Sequence, residues 1–294
     1  MLDIILNPNA GKGKALKSLE IAEELFKANN IEYIVHKTER QGHATEITKE
    51  LTSQGKEVKL VVLGGDGTFN EVVNGVVDFD NTTIGFVPSG TGNDYVSATK
   101  LPKDPKEAIQ LVIDGNTGFT DFIDMGDKRC LNVAGGGMDT DVLVKYAEMK
   151  HFHGKVKYYI ALLIVLIKLK FHKLIVTIDD GEPMEKEVFM IGVANGKYIG
   201  GGMPISPESE VDDGVLNVVA INKMSRWGMI HKLVKFLTGK CLTLKETEHF
   251  KCTHAKIEVL DEGKVQADGE IMDRKSFDCY LRHNVLKIYK KKED

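Results

Sequence analysis

The sequence predicts an α/β N-terminal half built on a parallel sheet, followed by a mostly antiparallel, β-rich half. Three observations predict this. Short β-rich runs alternate with helical periods over the first 125 residues, strand-like runs and turns take over beyond Asp124, and 294 residues suit two domains better than one simple core.

In the first half, Leu2–Leu6, Ile31–Val35, Val58–Leu63 and Thr83–Val87 have strand character. Leu16, Leu19, Ala22 and Phe26, then Ala44, Ile47 and Leu51, recur at helical spacing between them. Short apolar strands each followed by a helix imply a parallel sheet covered on both faces, with ligands held in the loops that leave the carboxyl ends of its strands. In the second half the strand-like runs are Lys128–Ala134, Leu174–Asp179, Val188–Asn195, Leu216–Ile221, Ala255–Leu260 and Phe277–Leu281. One helical stretch from Val142 to Lys170 and another from Trp227 to Leu237 accompany them. Lys287–Asp294 reads as a charged, solvated tail.

Composition excludes several classes of function. A chain 42% hydrophobic and 28% charged is globular rather than disordered or fibrous. Its 39 basic and 43 acidic residues give a net charge of −4 and no global footprint for nucleic acid. Cys130, Cys241, Cys252 and Cys279 form no C-x-x-C pair, and the N-terminus lacks the layout of a signal peptide, so a cytoplasmic setting is expected. Cys241 and Cys252 read as ordinary, partly buried thiols, and the His151-x-His153 pair as surface histidines without a third ligand. The apolar run Tyr158–Ile167 is interrupted by Lys168 and Lys170 and falls short of the ~20 residues that cross a bilayer. It reads as a buried helix, with Lys155, Lys157, Lys168, Lys170 and Lys173 making membrane-surface contact the alternative.

The four strand ends carry the chemistry. They continue as Asn7-Pro8-Asn9-Ala10-Gly11-Lys12-Gly13, Thr38-Glu39-Arg40-Gln41-Gly42-His43, Gly64-Gly65-Asp66-Gly67-Thr68 and Pro88-Ser89-Gly90-Thr91-Gly92-Asn93-Asp94. Glycine lets backbone N–H groups approach an anion, and a following helix N-terminus adds partial positive charge, so these loops suit phosphate. Neither G-x-x-x-x-G-K-[ST] nor a strand-following G-x-G-x-x-G occurs, which removes the P-loop and the usual dinucleotide fingerprint. A carboxylate at Asp66 would repel phosphates unless a cation lay between them, which implies Mg²⁺ carried by a nucleotide.

Asn7-Pro8-x-Ala10-Gly11-x-Gly13, Gly64-Gly65-Asp66-Gly67-Thr68 with Glu71 and Asn74-Gly75, and Pro88-x-Gly90-Thr91-Gly92-Asn93-Asp94 resemble, in that order, the diacylglycerol kinase catalytic-domain family and its soluble bacterial lipid kinases. Gly200-Gly201-Gly202-Met203, Ser206-Pro207, Asp212-Asp213-Gly214-Val215-Leu216 and Asp268-Gly269-Glu270 are similar to the family's later blocks, so the resemblance covers nearly the whole chain. It implies an NAD kinase-like domain over residues 1–125, with segment 282–294 as a candidate to complete it. It also implies a β-sandwich-like domain over 126–281 and an active site in the cleft between the two.

The resemblance places ATP on Asn7, Pro8, Asn9, Ala10, Gly11, Thr38, Gly64, Gly65, Asp66, Gly67, Thr68, Phe69, Asn70 and Thr91. It makes Glu270 the general base and leaves Asp66 to orient Mg²⁺, with Asp66 as the other carboxylate able to take the proton. A second, structural Mg²⁺ would sit on Asp213 and the backbone oxygens of Glu210 and Val215, with Asp212 as the rival carboxylate. The implied activity is ATP-dependent phosphorylation of diacylglycerol at an anionic membrane surface, by a peripheral protein for which a homodimer is a candidate assembly. Sphingoid bases or undecaprenol-like alcohols are alternative acceptors, and an NAD kinase-type enzyme or a non-catalytic nucleotide- or lipid-binding module are alternative functions.

Overall fold

The computed structural model describes residues 1–150 and 154–292, and these divide into two units. The first comprises Met1–Phe122, Val211–Asp213 and Arg282–Asp294; the second comprises Ile123–Glu210 and Gly214–Leu281.

In the first unit β1 (Leu2–Leu6), α1 (Lys14–Ala28), β2 (Tyr33–Lys37), α2 (His43–Thr52), β3 (Val58–Gly64), α3 (Asp66–Gly75), β4 (Thr82–Pro88), α4 (Asp94–Thr99) and α5 (Pro105–Asp114) alternate as expected. β5 (Thr117–Asp124) ends the run and carries the chain into the second unit. β1 lies parallel between β2 and β3, with Ile4 opposite both Val35 and Val61, and β3 runs parallel to β4 with Leu60 opposite Ile84. Every residue of β3 except Lys59 and every residue of β4 is buried, the pattern of a strand covered on both faces.

The helices turn slightly different faces inward than their largest apolar residues suggest. α1 buries Ala15, Ser18, Ala22 and Phe26 while Leu16 is exposed, and α2 buries Ala44, Thr48 and Thr52. Thr48 Oγ1 donates to the Ala44 carbonyl and Thr52 Oγ1 to the Thr48 carbonyl, both at 2.8 Å, so the hydroxyls are satisfied within the helix. Thr52 Oγ1 also accepts from Val77 N at 3.0 Å, which fixes the chain leaving α3.

The second unit contains β6 (Arg129–Cys130), β7 (Val133–Gly137), α6 (Met138–Glu148), α7 (Gly154–Lys168), β8 (His172–Ile178), β9 (Met184–Ala194), β10 (Tyr198–Ile199), β11 (Met203–Pro204), β12 (Leu216–Asn222), α8 (Arg226–Leu237), β13 (Thr247–Cys252), β14 (His254–Val259), β15 (Val265–Ala267), β16 (Glu270–Met272) and the start of β17 (Ser276–Tyr289). These strands pair antiparallel in the order β16-β15-β7-β9-β8-β14-β17, with β12 between β9 and β13. Ile191, Val218, Ile257 and Phe277 belong to one core cluster, while α6 and α7 contribute Val142, Ala161, Leu162 and Val165 to a second.

Three expectations are corrected. The run Lys128–Ala134 is two strands, because the N–H groups of Leu131, Asn132 and Val133 turn out of the ladder toward the Asp268 carboxylate. The helical stretch Val142–Lys170 is two helices, and His151 and His153 lie outside the described residues. Lys287–Tyr289 are not solvated tail: they end β17 in the first unit, where Ile288 pairs with Ile84 of β4 and both Ile288 and Tyr289 are buried. All four cysteines are buried and unbridged, and burial, helped by the charge of Asp179, pushes the Cys252 thiol up to about 12.

Candidate active site

Three of the four glycine-rich loops meet at the carboxyl ends of β1, β3 and β4. Gly11 has φ 57°, and a Cβ there would stand 1.9 Å from the Ser89 carbonyl oxygen, so the first loop closes on the fourth only with glycine in place. A Cβ on Gly90 would stand 2.7 Å from Gly65 Cα, which brings the third and fourth loops into backbone contact. Polar groups tie the same three loops together. Asn7 Nδ2 donates to Thr68 Oγ1 at 2.9 Å, Ser89 N donates to the Gly64 carbonyl at 2.7 Å, and Ser18 and Ser89 hydroxyls bond at 3.1 Å.

These contacts frame the N-terminus of α3, which begins at Asp66 and has no side-chain cap. The first-turn N–H groups of a helix have no acceptor within it, and the helix dipole is positive there, so an anion satisfies both conditions. A Cβ on Gly67 would meet nothing within 4 Å, which leaves that turn open to a ligand. Asp66 Oδ1 accepts from Tyr95 N at 3.2 Å, which anchors the carboxylate at the mouth of the cradle. Asn93 Oδ1 is a buried acceptor with no hydrogen-bond partner, and it would lie 3.0 Å from a Cβ on Gly90. An orphaned oxygen on the fourth loop, a carboxylate at Asp66 and the open first turn of α3 are chemically suited to a nucleotide carrying Mg²⁺.

The other predicted nucleotide residues fall around this centre in different ways. Pro8, Asn9 and Ala10 lead into a short 3-10 turn over Ala10–Lys12, and Asn9 N donates to Asn7 Oδ1 at 3.1 Å. Thr38 is buried, its N–H donating to the Leu6 carbonyl at 2.9 Å, so the second loop leaves the sheet beside the first. Thr91 is exposed, while Asn70 is buried on α3 and its Oδ1 accepts from Asn74 Nδ2 at 3.0 Å. Phe69 is fully buried, stacked on Phe86 at 4.4 Å and tilted against Tyr95 at 4.8 Å, so its ring supports the cradle from behind.

Glu270 opens β16 in the second unit, where its carboxylate is paired with Lys128 Nζ. The preceding turn is firmly held. Asp268 Oδ2 accepts from Leu131 N at 2.6 Å, and its Oδ1 accepts from Asn132 N and Val133 N at 2.8 and 3.2 Å. Burial pushes the Asp268 carboxyl up against the opposing pull of those three N–H groups. Sequence reading did not single out Gln266 or Asp139, which lie behind this turn. Gln266 Oε1 accepts from Gly269 N at 2.8 Å, and its Nε2 donates to Asp139 Oδ2 at 2.9 Å. The signal that could have found Gln266 is its position one residue before Ala267, the last strand residue ahead of the two-residue turn.

For the second metal, Glu210 and Val215 belong to the second unit and Asp213 to the first. The Glu210 carboxylate pairs with Lys197 at 2.6 Å, and Asp212 with Lys290 at 3.3 Å. Among the described residues no group of three or more His, Cys, Asp or Glu side chains is placed to hold a metal ion.

Comparison with known proteins bears on the family and the fold. The diacylglycerol kinase catalytic domain matches residues 2–125, and the YegS C-terminal NAD kinase beta sandwich-like domain matches residues 132–289. A diacylglycerol kinase of Staphylococcus epidermidis is 30% identical over 278 residues, 91% of this chain and 84% of the relative. A crystal structure from Bacillus anthracis str. Sterne shares the fold with a TM-score of 0.80 at 24% identity, over 99% of this chain and 95% of that one. An NAD kinase from Archaeoglobus fulgidus in complex with ATP shares it with a TM-score of 0.53 at 13% identity, over 99% and 94%. An NAD kinase-like parallel-sheet unit with an uncapped glycine cradle, a β-sandwich-like unit and two successive matched domains together show that this chain belongs to the diacylglycerol kinase catalytic-domain family.

Proposed function

We propose that the protein transfers the γ-phosphoryl group of ATP to the free hydroxyl of diacylglycerol, giving phosphatidate and ADP. The observation that carries this reading is the open N-terminus of α3, framed by three glycine loops that mutually exclude side chains. Backbone donors of residues 65–68 cradle the phosphates, Asn7 and Thr68 fix the loops against each other, and Asp66 orients the cation directly or through water. Mg²⁺, when bound with the nucleotide, spreads the charge that builds on the phosphoryl oxygens. The acceptor oxygen forms the new bond to phosphorus as the bond to the ADP oxygen breaks, and its proton goes to Glu270. Asp213 with the backbone oxygens of Glu210 and Val215 is the proposed second Mg²⁺ position, and no step depends on it.

Access to a water-insoluble acceptor requires a membrane surface. No helix among the described residues is long and apolar enough to cross a membrane. α7 nevertheless exposes Val156, Tyr159, Leu163 and Ile167 along one face, at 58–67% of their full accessibility, beside Lys157, Lys168 and Lys170. Trp227 and Val234 of α8 are similarly bare. A continuous apolar stripe with lysines at its margin suits peripheral docking on anionic lipid.

The test is radiolabelled ATP with Mg²⁺ and a panel of diacylglycerol, sphingoid base and undecaprenol-like alcohol in mixed micelles, with NAD in parallel. Preferred labelling of diacylglycerol supports the proposal; labelling of another lipid alcohol reassigns the acceptor, and labelling of NAD alone overturns the lipid reading. Glu270→Gln should reduce turnover to a small residual rate and leave ATP affinity nearly intact, whereas a fully active variant would move the base to Asp66.

A further inference from the structure

Glu270 follows a two-residue hairpin turn in which Asp268 and Gly269 both have positive φ, 47° and 83°. Its carboxylate can be no better placed than that turn. The Asp268 carboxylate holds the outer side, on the three N–H groups of residues 131–133. The inner side is held by Gln266, which is fully buried; its Oε1 accepts from Gly269 N, and its Nε2 donates to Asp139 Oδ2 and, at 3.4 Å, to the Val133 carbonyl. A carboxylate only accepts, so Asp139, the nearer partner, and the Val133 carbonyl together turn the Gln266 amide nitrogen inward, leaving the amide oxygen for Gly269 N–H. Asp139 is itself buried at the start of α6, and burial pushes its carboxyl up to about 6. A bare packing role would not call for a carboxylate there, because burying a charge is costly and an apolar side chain would fill the space.

Resting on the reading of Glu270 as general base, we propose that Asp139 and Gln266 are positioning residues: Asp139 orients the Gln266 amide, and Gln266 fixes the Gly269 N–H and with it the direction in which Glu270 presents its carboxylate. Neither touches substrate in this scheme. Both act through the turn.

The experiment measures kcat, KM for ATP and KM for diacylglycerol on folded, full-length protein. Gln266→Met keeps the volume and removes all three bonds, and Asp139→Ala removes the nearer of the two acceptors of Nε2. Each should lower kcat by about ten- to a hundredfold, the scale of an ångström's misplacement, with both KM values within about twofold. Asp139→Asn can present an oxygen to the same amide nitrogen and should restore most of kcat. In a Glu270→Gln background neither Gln266→Met nor Asp139→Ala should lower the residual rate further. Parent-like kcat in Gln266→Met, or an equal further loss in the Glu270→Gln background, overturns the proposal. A fully active Glu270→Gln protein overturns the general-base reading instead, so the two failures are distinct. If Asp139→Ala does not fold, the volume-conserving Gln266→Met decides alone.

Discussion

Asp139→Asn is expected to stabilise the protein at neutral pH and to destabilise it by about 1 kcal/mol in acid. Burial holds the Asp139 carboxyl near 6 against an ordinary 3.8, only partly offset by hydrogen bonds from Thr140 and Gln266. The folded state therefore binds a proton between those two values that the unfolded chain has released, and stability falls as pH rises through that window. At about 1.4 kcal/mol per tenfold change in proton affinity, the buried charge costs about 3 kcal/mol above pH 6. Asparagine removes the charge and still accepts from Gln266, but its amide nitrogen replaces Oδ1 beside the Thr140 hydroxyl, 3.4 Å away. One imperfect hydrogen bond returns about 1 kcal/mol of that gain, leaving a net stabilisation of about 2 kcal/mol. The assay is urea unfolding of parent and variant from about pH 4 to pH 7.5, read by a probe within the second unit because two units need not unfold together. A parent–variant difference that does not grow with pH, or a less stable variant at pH 7.5, refutes the reasoning.

Three further outcomes follow from named contacts. Gly11→Ala places a methyl against the Ser89 carbonyl at a left-handed φ; it should destabilise the first unit by about 1–3 kcal/mol and weaken ATP binding at least about tenfold by calorimetry. An unchanged ATP affinity would remove the first loop from the cradle. Burial opposes a charged His172, but hydrogen bonds to Asp141 at 3.0 Å and Asp261 at 3.1 Å outweigh it and raise its pKa above 6.5. The stability this provides is complete below 6.5 and is lost as pH rises through the raised value, so His172→Gln should abolish that alkaline decline in urea midpoints. Leu163→Asp with Ile167→Asp should weaken flotation with vesicles rich in anionic lipid while leaving ATP affinity unchanged; flotation insensitive to both substitutions and to salt would exclude the α7 face.

The cradle was legible because it is written locally. Each glycine loop lies within seven residues of its strand end, and a backbone site advertises itself by the side chains it lacks. Strand existence was equally readable, since β3 and β4 are built around the short apolar runs 60–63 and 84–87. The inward faces of α1 and α2 were harder. Ser18, Thr48 and Thr52 are polar in the sequence and buried in the fold, because their hydroxyls find partners in place. The end of β17 misled for the converse reason: Ile288 and Tyr289 lie among lysines, and charge density outweighed two apolar residues whose partner strand is about 200 positions earlier. Gln266 and Asp139 are 127 residues apart, and a lone glutamine on a short strand looks the same whether it faces solvent or a buried carboxylate.

The two units consequently guard their chemistry in different currencies. In the first, position is set by excluded volume: Gly11 against Ser89 and Gly65 against Gly90 leave no room for a Cβ, and the donors offered are main-chain groups that substitution elsewhere does not remove. In the second, position is set by side-chain hydrogen bonds, with Asp268 on three N–H groups and Gln266 between Gly269 and Asp139. Steric exclusion is insensitive to pH, and the chain of buried polar groups keeps an acceptor at its end in either protonation state, because a protonated Asp139 still offers its carbonyl oxygen to Gln266 Nε2. Nucleotide affinity should therefore be nearly flat across the range in which Asp139 titrates, and the Gln266 contribution to kcat should hold there too, as it should in Asp139→Asn, which presents the same single acceptor. An acid limb in kcat that disappears in Asp139→Asn would show that the turn needs the charged carboxylate rather than an acceptor oxygen and would refute this account.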